Sequence, residues 1–443
     1  MDRISKLPDE IGCHIFSFLT TREAASTSVL SKRWRNIFTF TPNLCFENKD
    51  FASPSEEITR SFSDFVDRVL AASGESPIKK ITLKCLTSGD PAHLNRCMRK
   101  FLTHGVTDLD LEVIRGLDYP NMLIEVFACK TIVTLKLGRC FVIENFPENM
   151  FLPVLKTLFL DKIMFNMPQP CAFETLFSAC PVLELVMLNV ESSYQPSDGK
   201  PCSTVSCPTL QRLTVNSLDF GLILYRSRFL DRQSFAFDTA NLAYLEYSDV
   251  VPIAFPVVNL DSLVEAKLGL NSLEVCDDRN STVLIKGLGN VEVLDLTTFE
   301  TLETIYYFRE AIVVLKNLLQ LSITTKAHEC WRSLPFLLNK SPNLHTLIIK
   351  GPLHAFKYGS VCECFSGYSC FSCPVKVLKI TDYGGISGEL RQLHHILEKL
   401  PCLELVTVCA RATNVTEGWI LNSDLQRLSK ALKCKIEVNF IGI

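Results

Sequence analysis

The sequence has no run of 18 apolar residues, which excludes a transmembrane helix, and the membrane is not expected as a partner. It has no excess of charge. The 45 Lys and Arg stand against 48 Asp and Glu, for a net charge of −3. The basic footprint needed for nucleic acid or an anionic lipid surface is therefore missing, and no nucleic-acid partner is expected. The N-terminal stretch MDRISKLPDEIG carries Asp2, Arg3, Lys6, Asp9 and Glu10 and lacks an apolar h-region, so no secretory signal is expected. The short motifs that cradle phosphates, bind dinucleotides, build a nucleophile elbow or hold catalytic zinc (G-x-x-x-x-G-K-[ST], G-x-G-x-x-G, G-x-S-x-G, H-E-x-x-H) do not occur. No carboxylate pair stands out as an acid/base couple. His394, His395 and Glu398 share a short stretch that reads as the solvated face of a helix. No catalytic residue, cofactor or metal is assigned.

Cysteine, by contrast, is plentiful, with 19 residues scattered through apolar segments, such as Cys180, Cys207 and Cys402. In a reducing compartment these are expected to be thiols packed as small hydrophobes. Cys362, Cys364, Cys370 and Cys373 have a spacing that could hold zinc, but no histidine with matching spacing accompanies them. Hydrophobic residues make up 47% and charged residues 21%, the composition of a folded chain. At 443 residues the chain is too long for one core, which stops growing at roughly 250–300 residues. Sequons at Asn280, Asn339 and Asn414 read as chance matches, and Lys32-Arg33-Trp34-Arg35 as a solvated helix end.

Residues 4–38 predict three short helices. Pro8 suits a first turn, with Asp9 and Glu10 complementing its dipole. Ile11, Ile15, Phe18 and Leu19 then form one apolar stripe, interrupted by Gly12. Thr20 or Thr21 can cap a second helix reaching Leu30, and Ser31 a third that carries Trp34 and Phe38. About 40 residues cannot enclose a stable core alone, so a partner surface is expected to finish the stripe. A connector helix over 53–72 has a capping box at Ser53–Glu56. Its apolar face of Ile58, Phe62, Phe65, Val66 and Val69 is expected to pack as a terminal cap on the first repeat of the solenoid.

From residue 78 the pattern apolar-x-x-apolar-x-apolar occurs thirteen times. Its central residues run from Ile81, Leu109, Leu135, Leu158, Val186 and Leu213 to Leu245, Ala266, Leu294, Leu321, Leu347, Leu378 and Val406. The mean spacing of about 27 residues falls within the leucine-rich-repeat range of ~20–29. A proline-bearing tag precedes several copies: CPVLEL, CPTLQRL, SPNLHTL, CPVKVL and LPCLEL. Its proline stops the helix ahead of each strand. Outer helices are expected in RCMRKFLTHG, ETLFSACP, SLPFLLNKSP and QLHHILEKLP, and the longest polar loop at Ser192 to Ser206. The predicted fold is α/β: a three-helix head at 1–45, a connector at 46–76, and a curved repeat solenoid with a parallel sheet inside and helices and loops outside. The repeats fill 77–350, and the last of them lie in a C-terminal region at 351–443.

LPDEI at 7–11, FSFLTTREA at 16–24 and SVLSKRWRNIF at 28–38 resemble the three parts of the plant F-box. The resemblance implies docking on a Skp-type adaptor, and through it on a cullin and a RING subunit. It carries adaptor contact to Leu7, Pro8, Ile11, Ile15, Leu19, Leu30 and Trp34. Gly-Cys-His at 12–14 departs from the longer apolar residues common there, which lowers the expected affinity. The segments at 61–85 and 373–408 resemble plant F-box/leucine-rich-repeat proteins with an FBD-type C-terminal region, although its tryptophan-proline lead-in is missing. The implied function is target recognition for a ubiquitin ligase, without catalysis, in cytoplasm or nucleus. Alternatives are a scaffold or inhibitor outside a ligase, a small-molecule co-receptor, or a ligase with a catalytic cysteine. Target contacts are expected on strand residues that flank the central apolar one and point away from the core. These are Asp108, Asp110, Glu112, Thr134, Lys136, Arg212, Thr214, Tyr244, Glu246, Lys267, Asp295 and Lys379.

Overall fold

The computed structural model describes residues 7–47, 56–74, 76–85, 91–113, 124–138, 141–165, 172–190, 202–217, 234–251, 255, 257–271, 281–326, 331–353, 374–412, 414–432 and 434–441. The chain divides into two compact units, one of residues 1–210 with 214–230 and one of 211–213 with 231–443.

In the first unit, helices α1 (Asp9–Phe16), α2 (Thr21–Ser28) and α3 (Lys32–Thr39) precede strand β1 (Asn43–Glu47). Then come α4 (Glu56–Ser73), β2 (Lys80–Cys85), α5 (Pro91–Thr103), β3 (Asp108–Val113), β4 (Thr134–Gly138), β5 (Val142–Ile143), β6 (Thr157–Phe165), α6 (Ala172–Ser178), β7 (Leu185–Val190) and β8 (Cys202–Ser206). Most of β9 (Arg212–Ser217) closes the unit, and the main sheet runs β1-β2-β3-β4-β6-β7-β9. The central apolar residues stack in register, Leu44 on Ile81, Ile81 on Leu109, Leu109 on Leu135, Leu135 on Leu158 and Leu158 on Val186. All six are buried.

The second unit contains β10 (Ser234–Asp238), β11 (Tyr244–Val250), β12 (Val258–Asn259), β13 (Glu265–Asn271), α7 (Thr282–Gly287), β14 (Val293–Leu296), α8 (Phe299–Tyr307), β15 (Gln320–Thr324), α9 (Ser333–Lys340), β16 (Thr346–Lys350), β17 (Val377–Tyr383), α10 (Ser387–Glu398), β18 (Leu405–Arg411), α11 (Val415–Leu432) and β19 (Lys435–Ile441). Its sheet is parallel too, with Leu245, Ala266, Leu294, Leu321, Leu347, Leu378, Val406 and Ile436 successively paired and all buried. The α/β architecture and the strand position of all thirteen repeats agree with the sequence reading. The four expected outer helices are α5, α6, α9 and α10.

The proline tags have a second role. In each of four tags the residue before proline accepts a hydrogen bond from the leucine two residues after it: Cys180 from Leu183, Cys207 from Leu210, Ser341 from Leu344 and Leu400 from Leu403. This is a β-turn with proline in the position that favours its fixed φ. The tag thus turns the chain from helix to strand. Cys180 and Cys207 are buried, and burial pushes the Cys180 thiol up to about 12. Cys402, in the third position of its turn, is exposed, so it is not the packed thiol expected.

Four expectations change. Strands β1 and β19, one beside the first predicted repeat and one beside the last, lie outside the thirteen copies. The connector is not a terminal cap, because β1 precedes it and α4 serves as the crossover between β1 and β2. Phe46 of β1 packs against Phe65 of α4 and Phe101 of α5, with centroids 6.1 and 6.2 Å apart, so β1 crosses the predicted boundary at 45/46. The end of the expected loop at 192–206 is strand β8. Helices α7, α8 and α11 had no forecast. The Ser53–Glu56 box and the cysteines at 362–373 fall outside the described residues, Glu56 apart.

Glu389 joins three segments of the second unit. Its buried carboxylate accepts backbone N–H bonds from Leu353 (3.2 Å), Gly384 (2.9 Å) and Ile386 (3.4 Å). Burial raises its pKa, outweighing those amides, which lower it. A carboxyl whose folded pKa is raised contributes stability that is present at low pH and lost as pH climbs through that value. In urea titrations the stability of wild type relative to Glu389→Gln should therefore fall as pH rises above the ordinary carboxylate range. A difference that stays flat or grows would refute this. Leu321→Ala, at a fully buried ladder position, should cost about 2–5 kcal/mol in the same assay. A cost below about 1 kcal/mol would mean the ladder does not carry the core.

Candidate functional site

The N-terminal helices are short and capped from within. Thr20 and Glu23 form a reciprocal capping box on α2, with Glu23 accepting the Thr20 N–H at 2.8 Å and Thr20 accepting the Glu23 N–H at 3.3 Å. Of the two threonines considered for this cap, Thr20 is therefore the one. Thr21 is buried, and its hydroxyl accepts the Cys45 N–H of β1 at 2.7 Å, tying the helical head to the first strand. Ser31 caps α3 through the Trp34 N–H at 3.1 Å. Arg33 donates to Asp9 at 2.8 Å and to the Leu7 carbonyl, clamping the start of α1 to α3.

The small core of this head uses one side of α1 only. Phe16 is buried against Trp34 and Phe38, with centroids 5.1 and 6.2 Å away. Gly12 lies on the same inner side, where an added Cβ would meet the Ile37 side chain at 2.9 Å. Gly12 therefore sets the approach of α1 to α3 and is no part of the outer face, so the expected loss of adaptor affinity does not follow from it.

Everything apolar on the other side is left to solvent. Ile11 and Ile15 are exposed, and Phe18, Val29 and Leu30 are 76%, 77% and 77% accessible. Pro8 is exposed, while Leu7, Leu19 and Trp34 are half-buried. Of the sequence-named residues, Ile11 and Ile15 therefore lie on the outer side of α1 and Leu30 at the junction of α2 with α3, whereas Trp34 packs on Phe16. Reasoning on sequence missed Val29 and Phe40, both highly exposed, and did not carry docking to Phe18. Phe18 belongs to the same stripe and Val29 adjoins Leu30, so both could have been read. Phe40 follows α3 with no periodic signal.

The second candidate face is the side of each sheet that the central leucines turn away from. In the first unit Asp108, Asp110, Glu112, Thr134 and Lys136 are half-buried there. Lys136 lies over the Phe159 ring at 4.6 Å. In the second unit Arg212 and Lys379 are exposed, and Glu246 and Lys267 half-buried. Three expected contact residues are buried and cannot present themselves. Asp295 is paired with Lys350 at 2.7 Å. Tyr244 lies beneath Arg212 and Lys267 and donates its hydroxyl proton to Glu246 at 2.8 Å. Thr214 is short, and its strand lies beside the one carrying Leu185 and Met187. Burial raises the Tyr244 pKa, and the hydrogen bond with Tyr244 raises that of Lys267, which keeps the lysine charged. On α10, His394 lies 3.6 Å from Glu398, one turn away. Among the described residues no group of three His, Cys, Asp or Glu side chains could hold a metal ion.

Residues 4–45 match the family model for the F-box domain. Residues 94–220 match the model described as the LRR repeats of FBD-associated F-box protein At5g56370. Over 99% of its length the chain is 46% identical to F-box/LRR-repeat protein At3g58980 of Arabidopsis thaliana, covering 74% of that protein. It is 44% identical to F-box/LRR-repeat protein At3g62440 and 42% identical to putative F-box/LRR-repeat protein At5g15620 of the same plant, in each case over 99% of this chain and 100% of the relative.

The inward position of Gly12 has a measurable consequence. Gly12→Leu should destabilise the chain by about 1–3 kcal/mol, because Ile37 would be pushed off its rotamer. Phe18→Ser should leave stability within about 0.5 kcal/mol of wild type. Thermal unfolding of the two variants side by side tests the assignment of faces, and a reversed order would sink it.

Proposed function

The chain belongs to the F-box/LRR-repeat proteins, and on that premise we propose that it is the target-recognition subunit of a cullin–RING ubiquitin ligase. The observation that carries this reading is the unfinished core of the N-terminal helices. A head that leaves Ile11, Ile15, Phe18, Val29 and Leu30 in water while burying Phe16 and Phe38 has the composition of half an interface. A Skp-type adaptor completes it, and the adaptor links the chain to a cullin and its RING subunit. The repeats hold a target protein on the polar face of their sheets.

The mechanism is proximity. The head ties the target to the ligase core, and a conjugating enzyme delivered by the RING subunit meets the target at high effective concentration. The chain supplies no nucleophile, acid or base to the transfer. Cytoplasm or nucleus, where such ligases meet their targets, is the expected location.

Co-purification with a Skp-type adaptor and cullin tests the reading. Wild type should bind. Ile11→Asp/Leu30→Asp, which changes only exposed positions, should lose at least about tenfold in affinity without loss of stability. A folded wild-type chain that fails to bind any adaptor would remove the ligase reading and leave a scaffold in its place.

A further inference from the structure

Charges on the polar face of the second unit are mostly neutralised in place. Lys350 pairs with Asp295 at 2.7 Å, Arg411 with Asp382 at 2.6 Å, and Lys267 with Glu265 at 3.9 Å. Arg212, like Lys379, stands outside this pattern. It is exposed and, among the described residues, makes no ion pair. Its guanidinium carbon lies 3.9 Å from the centroid of the Tyr244 ring, and the Lys267 amine lies 5.3 Å from the same centroid.

Tyr244 is a fixed platform, being buried and held by the hydrogen bond to Glu246. A guanidinium stacked on such a ring keeps its N–H fork directed along its own plane, the arrangement that receives a carboxylate or phosphate through two parallel bonds. Among the described residues neither nearby carboxylate forms an ion pair with it. Glu246 is engaged by the tyrosine hydroxyl, and Glu265 reaches Lys267.

We propose that Arg212, stacked on Tyr244 and seconded by Lys267, is the point where the sheet face receives an anionic group of the target, a carboxylate or a phosphate. This rests on the reading of the repeats as the target-binding surface, and it deepens that reading by naming the chemistry received. Arginine fits the role and lysine does not, because only the planar fork both stacks and binds with two parallel bonds.

Calorimetry on the full chain, with three short peptides alike except at two central positions, tests it. The positions carry glutamate, phosphoserine or glutamine. At least one anionic peptide should bind about tenfold or more tighter than the glutamine peptide. Arg212→Ala and Arg212→Lys should both abolish that preference, Lys267→Ala should weaken it severalfold, and none should shift the unfolding temperature. Preference for phosphoserine alone would mark targets that must be phosphorylated, and equal preference would mark constitutively acidic ones. An absence of preference over glutamine, or a preference that survives Arg212→Ala, overturns the proposal. Ile11→Asp/Leu30→Asp should keep the preference while losing the adaptor, so failure of the ligase reading and failure of this one are read separately.

Discussion

The structure depends on the register in which one central apolar residue per strand stacks on the next. A parallel pair cannot be joined by a tight turn and needs a crossover of a dozen or more residues, so each strand brings its own helix or irregular segment. One such unit cannot bury its own apolar side. Ile81 is covered because Leu44 and Leu109 flank it, and Leu347 because Leu321 and Leu378 do. A slip of one residue would turn a whole row of leucines to water and a row of charges to the core. That penalty holds the register even where crossovers differ in length and type, from the 18 residues of α4 to the 6 of α7.

The same constraint explains how the head is attached. An array whose first strand lacks a neighbour needs something at that end. In the first unit β1 adds one more rung, Leu44, and the Thr21 hydroxyl fastens α2 to its backbone. The head gains a firm base but little core of its own. Its inner volume is filled by Phe16, Ile37 and Phe38, with Gly12 letting α1 come close enough to enclose them. The remaining apolar residues have no place inside, and their exposure follows from the size of the head.

The repeats were legible because the leucine pattern is both spacing and burial at once, and all thirteen central residues are strand residues with buried side chains. Strands β1 and β19, which extend the ladder beyond the predicted copies, show the limit. β1 has Thr41 and β19 has Lys433 where the first apolar residue of the motif would stand, so the pattern does not begin. The outer face of the head was legible in part. Ile11, Ile15 and Leu30 stand out as apolar, but helical spacing does not say that Gly12 faces Ile37. Burial on the sheet face was the least legible. Whether Tyr244 or Asp295 reaches solvent depends on long side chains from neighbouring strands lying across them, and alternation along one strand carries no information about that.

The two candidate faces differ in kind. The face on the head gathers exposed apolar residues, Ile11, Ile15, Phe18, Val29 and Leu30, the composition of an interface whose affinity comes from burial. The sheet face carries alternating charges on adjacent strands, Glu246 beside Lys267 and Lys267 beside Asp295. Paired charges add little affinity to an incoming surface, but any partner that covers them must satisfy them, which discriminates among partners. Outward strand residues can change without disturbing the core, so a leucine ladder leaves its polar face free to vary. In such an array Arg212, stacked on Tyr244 and without an ion pair among the described residues, differs from Lys267 and Lys350, whose charges are met within the sheet.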